Sequence, residues 1–169
     1  MTRLADRGAG RSGLTLVEVA VVLMILAILL TLGFRASGLI DNRRLAGAVR
    51  VVASDIRETQ QRARAERQCW SIVFEAGAER YDIQVLQGET AGPGTGCTPG
   101  RTGRWQNFRS IDLPDPIDLE LTTFASDRLV LSPFGVTTPG SVTFRTPGGI
   151  RRVVSISPQG AVSVGPSTR

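Results

Sequence analysis

Gly13-Leu14-Thr15-Leu16-Val17-Glu18-Val19-Ala20-Val21-Val22-Leu23-Met24 decides how the rest of this chain is read. Three arginines, Arg3, Arg7 and Arg11, precede it, and after Glu18 no charge occurs until Arg35. An ordinary secretory signal places its apolar core ahead of a small-residue cleavage site, so the core is discarded. Here the order is reversed. Residues 1–13 are basic and hold no apolar core, so a cut between Gly13 and Leu14 keeps the hydrophobic segment in the product. Residues 14–34 span about 31 Å as a helix, against a hydrocarbon thickness of about 30 Å, which suffices for one crossing. The basic leader favours a cytoplasmic start and an exported remainder. Arg35, Arg43 and Arg44 at the far end oppose that direction, so the orientation draws on the motif as well.

Glu18 is the anomaly within this segment. A carboxylate on an isolated membrane helix costs roughly 2–3 kcal/mol or more and marks a functional pairing. A cut at Gly13 creates a cation at the same depth, the amino group of Leu14, on the same chain or on a neighbouring copy. At Gly13 to Glu18 the sequence resembles the class III signal of type IV prepilins and type II secretion pseudopilins, with Leu14 where Phe is commonest. The resemblance implies cleavage between Gly13 and Leu14 by a prepilin peptidase, N-methylation of Leu14, and a role for Glu18 in setting subunit register within a filament. It also implies a single pass through the inner membrane with the head in the periplasm. The alternative is a plain single-pass anchor in which the glycine and the glutamate coincide.

The chain has 169 residues. Without a 1–13 leader and a 14–34 membrane helix, what remains is one modest domain, with no room for a second. The formal charge is +5, and every basic residue is arginine. That excess sits in the leader and in residues 35–67, where a solvated helix face or contact with acidic headgroups accounts for it as readily as nucleic acid.

Beyond the apolar segment the helical pattern continues. Leu45, Val49, Val52, Ile56, Thr59 and Ala63 recur at spacings of four and three, one apolar stripe, with most of the arginines off it. Residues 35–68 therefore read as an amphipathic continuation of the membrane helix, its stripe forming core under a head at 69–169. Gly33, Gly38 and Gly47 are places where such a helix could bend. From Cys69 the period changes to that of strands. Cys69–Phe74 and Tyr81–Leu86 form a hairpin signature about Glu75–Arg80, and 87–103 is too rich in Gly, Pro and Thr for anything but a surface loop. Strand-like runs follow at Trp105–Leu113, Ile117–Phe124, Arg128–Leu131, Ser141–Arg145, Ile150–Ile156 and Ala161–Val164. The fold class is α+β and pilin-like: a long N-terminal helix, transmembrane in its first half, packed on an antiparallel β-sheet head.

Two cysteines in an exported domain make Cys69 and Cys97 a candidate disulfide, tethering the loop to the sheet edge. Two free thiols, one packed as a small hydrophobe, are the alternative. The search for chemistry is otherwise negative. The absence of His removes His-based triads, His-ligated metals and a His general base, and the absence of Lys removes a P-loop and a Schiff-base lysine. Asp112, Asp115 and Asp118 lack the ligand pattern of a calcium loop and read as a solvated corner. Gly92–Gly96 neither follows a buried strand nor opens a helix, which argues against a phosphate cradle. The expectation is a protein that is not an enzyme, with no metal and no cofactor.

The head is most similar to the GspH/FimT family of minor pseudopilins and minor pilins. The likeness is carried by Arg57–Glu66, by Leu129-Val-Leu-Ser-Pro-Phe-Gly135, and by Arg151-Arg-Val-Val-Ser-Ile-Ser-Pro-Gln-Gly160. It implies a low-abundance subunit that initiates or caps a short periplasmic filament together with other minor and major pseudopilins. The implied partners are the prepilin peptidase, those sister subunits, inner-membrane lipid and secreted proteins. Some DNA-binding members carry a Gly-Arg-x-Arg element near the end. Here the corresponding place is Gly160-Ala161-Val162-Ser163, without either arginine. Arg151 and Arg152 remain as candidate phosphate contacts, but two charges give only weak, salt-sensitive binding. The resemblance therefore points first to type II secretion, with a FimT-like type IV pilus or DNA-uptake subunit as the alternative.

Overall fold

The computed structural model describes residues 15–88, 97, 103–135 and 138–169, with backbone alone over 32–39. The chain divides into a first unit ending at Ser37 and a second, Gly38–Arg169. Helix α1, Leu16–Glu66, is the one element that enters both. It is continuous through Gly33, Gly38 and Gly47, the positions at which the sequence allows a bend.

In the first unit, α1 opens on Thr15, whose Oγ1 accepts the Glu18 N–H at 3.3 Å. Every large apolar side chain from Leu16 to Leu30 is exposed, Leu16 at 86% and Leu30 at 61%. Among the described residues no helix is long and apolar enough to cross a membrane. The span expected at 14–34 lies partly outside those residues, since Leu14 and the side chains of 32–34 are not among them.

The second unit holds the core. Leu45, Val49, Val52, Ile56, Thr59 and Ala63 are all buried, so the stripe read from the 3.6-residue period is the inner face of α1. The helix ends at Glu66, and Arg67 takes the left-handed conformation (φ 52°) that closes a C-terminus. Among the described residues eight strands follow: β1 Trp70–Glu75, β2 Arg80–Gln87, β3 Arg104–Asp112, β4 Asp118–Thr122, β5 Arg128–Leu131, β6 Gly140–Arg145, β7 Arg151–Ile156 and β8 Val162–Val164. Each coincides with an expected run to within two residues.

The antiparallel head is as expected, and it is built from two sheets, ordered β3-β2-β1-β5 and β4-β6-β7-β8. Leu113 and Ile117, both buried, anchor the crossover between them. Asp112 and Asp115 beside them are exposed, and Asp118 lies 3.8 Å from Arg145, the solvated corner that the sequence suggests. One apolar cluster joins the α1 stripe to Trp70, Ile72, Phe74 and Leu129 of the first sheet and Val142, Phe144, Val154 and Ile156 of the second. A bulge in β3 leaves Phe108 unpaired between Asn107 and Arg109, opposite Ile83 and Gln84, and its ring stands edge-on to Trp70 with centroids 5.1 Å apart. At Gly140 two segments approach closely: a Cβ there would sit 2.5 Å from a ring carbon of Phe124, which stacks on Phe74. Cys69 and Cys97 are joined as a disulfide. Apart from Gln87 in β2, Gly88, Cys97 and Gly103, the expected loop 87–103, with its Gly92–Gly96 run, lies outside the described residues.

Candidate functional site

The first place where the sequence concentrates function is the opening turn of α1. Gly13 and Leu14, the expected cleavage and methylation positions, lie outside the described residues. Glu18 is described. It occupies the third helical position, where the helix dipole favours a carboxylate by about 0.3–1 kcal/mol. Thr15-x-x-Glu18 has the spacing of a capping box, a signal legible in the sequence in addition to the cleavage motif. Thr15 supplies its half of that box through Oγ1. The Glu18 side chain stands exposed among Leu16, Val17, Val19, Val21 and Val22, which are exposed too. The turn thus offers one carboxylate on an otherwise apolar surface.

The second place is β7. Strand alternation sends the neighbours Arg151 and Arg152 to opposite faces. Arg151 points outward and donates from Nε and NH2 to the Glu120 carboxylate at 2.7 and 2.6 Å. That fork holds the Glu120 carboxyl below the usual carboxylate range, with the Arg151 and Arg145 charges adding to it, and raises Arg151 in turn. Arg152 points the other way, into a concavity of about 460 Å³ lined by Arg50, Ala53, Arg57, Arg152, Val164, Gly165 and Pro166. The two arginines grouped by sequence are therefore separated: one is neutralised, and the other joins two arginines of α1.

The third place is absent from the sequence reading. Tyr81 is buried in the core, and its OH donates to Asp55 Oδ2 at 2.5 Å, while Arg109 NH2 lies 3.3 Å from Asp55 Oδ1. Burial first, then the hydrogen bond to Asp55 and its negative charge, push the phenol far above its ordinary range. The network ties α1 to β2 and β3. The available signal was the single tyrosine of the chain, since a buried Tyr hydroxyl needs a partner and an acid flanking the helix stripe is the nearest kind.

Among the described residues no group of carboxylates and cysteines is arranged to hold a metal ion. No family model and no curated protein matches the chain. Solved structures do. The minor pseudopilin EpsH from the type 2 secretion system of Vibrio cholerae superimposes with a TM-score of 0.56 at 14% identity, covering 72% of this chain and 96% of the other. A second EpsH structure gives 0.58 at 11% identity over 77% and 98%. The type IV minor pilin FimU of Pseudomonas aeruginosa gives 0.52 at 15% identity over 75% and 91%. The architecture of this chain, a long N-terminal helix with antiparallel sheets, is the fold of these minor pseudopilins and minor pilins.

Proposed function

We propose that this chain is a minor pseudopilin of a type II secretion system, a structural subunit that helps initiate or cap the filament driving protein export. The observation that carries the reading is the composition of α1. One uninterrupted helix joins an exposed apolar stretch, with a single carboxylate in its first turn, to a buried stripe under a head of the minor-pseudopilin fold. The apolar stretch is the inner-membrane anchor, completed by the residues preceding Leu16 and following Thr31, and the head is periplasmic. A peptidase cuts between Gly13 and Leu14 and methylates Leu14. The new terminus of one subunit then neutralises Glu18 of its neighbour in a medium where an unpaired carboxylate is costly.

The fold shared with FimU supports the related reading, a minor type IV pilin serving pilus assembly or DNA uptake. The Arg151–Glu120 fork weakens its DNA branch, because it leaves Arg151 without a free charge for phosphate. Three experiments test the proposal. Mass spectrometry of protein recovered from cells is expected to find a mature chain beginning at methylated Leu14, and an intact leader would overturn the filament reading. Glu18→Ala is expected to be cleaved normally yet to lose co-purification with sister subunits by tenfold or more. Wild-type recovery of those partners by the variant would remove Glu18 from assembly. Loss of exoprotein export rather than of pili or transformation in a deletion strain separates the secretion role from the pilus role.

A further inference from the structure

The arginine concavity on the head stands independently of the filament reading. Arg50 and Arg57 are seven residues apart, two helical turns, so their side chains leave α1 on one face about 10 Å apart. Arg152 reaches the same space from β7. Arg57 NH2 donates to the Val162 carbonyl at 3.1 Å, and Gln60 Nε2 donates to the Gly160 carbonyl at 2.9 Å, which fixes the β7–β8 turn against the helix. The Arg152 Nε is buried and has no hydrogen-bond partner among the described residues. Three arginines thus line one hollow whose lining contains no carboxylate. Like charges held together repel, so the hollow favours an anion.

The lining also says which anion. A hollow of about 460 Å³ is far larger than the roughly 30 Å³ of one water and falls in the range that takes an organic group. Its remaining walls are Ala53, Val164, Gly165 and Pro166, apolar surfaces suited to the methylenes of a side chain. There is no aromatic ring on which a base could stack, and three cations in one recess do not form a track along a phosphate backbone. Guanidinium forks match carboxylates in a bidentate manner. We infer that Arg50, Arg57 and Arg152 form a receptor for an acidic side chain, Glu or Asp, presented by a partner protein.

The test uses the full chain in a non-ionic detergent and a fluorescein-labelled hexaglutamate peptide, read by anisotropy. Saturable binding is expected, weakening as salt is raised from about 0.05 to 0.3 M. Arg50→Gln and Arg152→Gln are each expected to weaken it at least fivefold and together to abolish it. Arg43→Gln and Arg151→Gln remove the same charge outside the hollow and are expected to leave binding within twofold. Because Arg50 is exposed on the helix, it carries the test should Arg152→Gln fail to fold, which tryptophan fluorescence reports. Equal weakening by all four variants would mean diffuse attraction and overturn the site. Displacement of the peptide by inorganic phosphate at equal or lower concentration, or tighter retention of duplex DNA through the same arginines, would overturn the carboxylate assignment.

Discussion

The two halves of α1 obey opposite rules although they are one helix. From Leu45 to Ala63 the apolar residues follow the helical period, and every member of that stripe is buried against the sheets. From Leu16 to Leu30 they fill all faces, and every large one is exposed. An amphipathic stripe finds its burial inside its own chain, whereas a helix that is apolar all round requires an apolar surrounding, lipid or other copies. The same secondary structure thus encodes a folding element at one end and, on the proposed function, an assembly element at the other. The substitution that separates them most widely is Ile56→Ala against Ile25→Ala. The first is expected to cost the head about 2–5 kcal/mol, through lost transfer energy and a residual cavity. The second, at a side chain 52% exposed, is expected to change head stability by less than about 0.5 kcal/mol. Both tryptophans, Trp70 and Trp105, lie in the head, so fluorescence-detected urea unfolding of the full chain in detergent reads that unit alone. Equal destabilisation by the two substitutions would erase the distinction.

The disulfide belongs to the folding side of the comparison. Cys69 and Cys97 are 28 residues apart, for which loop-closure entropy suggests about 3–4 kcal/mol. Replacing both by Ser is expected to lower the urea midpoint of the head by a corresponding amount. A head that unfolds at the wild-type midpoint without the bridge would show that the sheet edge is held by other contacts.

How much of this was legible follows from what kind of information each feature needs. The strands and the stripe are local periodicities, and the positions Leu45, Val49, Val52, Ile56, Thr59 and Ala63 could be read directly because burial repeats with the helix. The division into two sheets could not, since alternation shows that a residue is inward but not which strand lies beside it. β5 pairs with β1 across an intervening β4 that belongs to the other sheet. At the candidate sites the same limit applies. That Arg151 and Arg152 face opposite ways is implied by a two-residue period. That Glu120 waits for one and Arg50 with Arg57 for the other depends on partners 31 or more residues distant. The Asp55–Tyr81 hydrogen bond, between residues 26 apart, escaped for that reason too.

That bond gives the next test, a spectroscopic one. Tyr81 is the sole tyrosine, so the tyrosinate absorbance near 295 nm reports it without overlap from any other phenol. Its proton is held in the folded state well above the unfolded pKa of about 10, so the contribution to stability is complete below that pH. Above it the unfolded chain loses a proton that the native chain keeps, and stability declines as pH rises. The native protein is expected to show no tyrosinate at pH 10.5, about half a unit above that reference value, where the urea-unfolded chain is mostly ionised. Tyr81→Phe is expected to lower stability at neutral pH and to remove this alkaline decline. Normal titration of the folded protein near pH 10 would mean that the phenol does not bond Asp55 in solution.

The smallest effect concerns Gly47, which sits in the folding half of α1 yet has no evident folding task. A Cβ added there meets nothing within 4 Å, and its φ is not in the left-handed region. In a helix interior, Gly costs about 0.5–1 kcal/mol relative to Ala, so Gly47→Ala is expected to raise head stability by that amount. The glycine borders an apolar hollow of about 270 Å³ formed with Val51, Tyr81, Leu113 and Pro114. Two readouts divide the alternatives. A stabilised head that still co-purifies with its sister subunits makes Gly47 neutral for assembly. A stabilised head that loses them extends the proposed assembly role beyond the first half of the helix and into the half whose stripe folds the head.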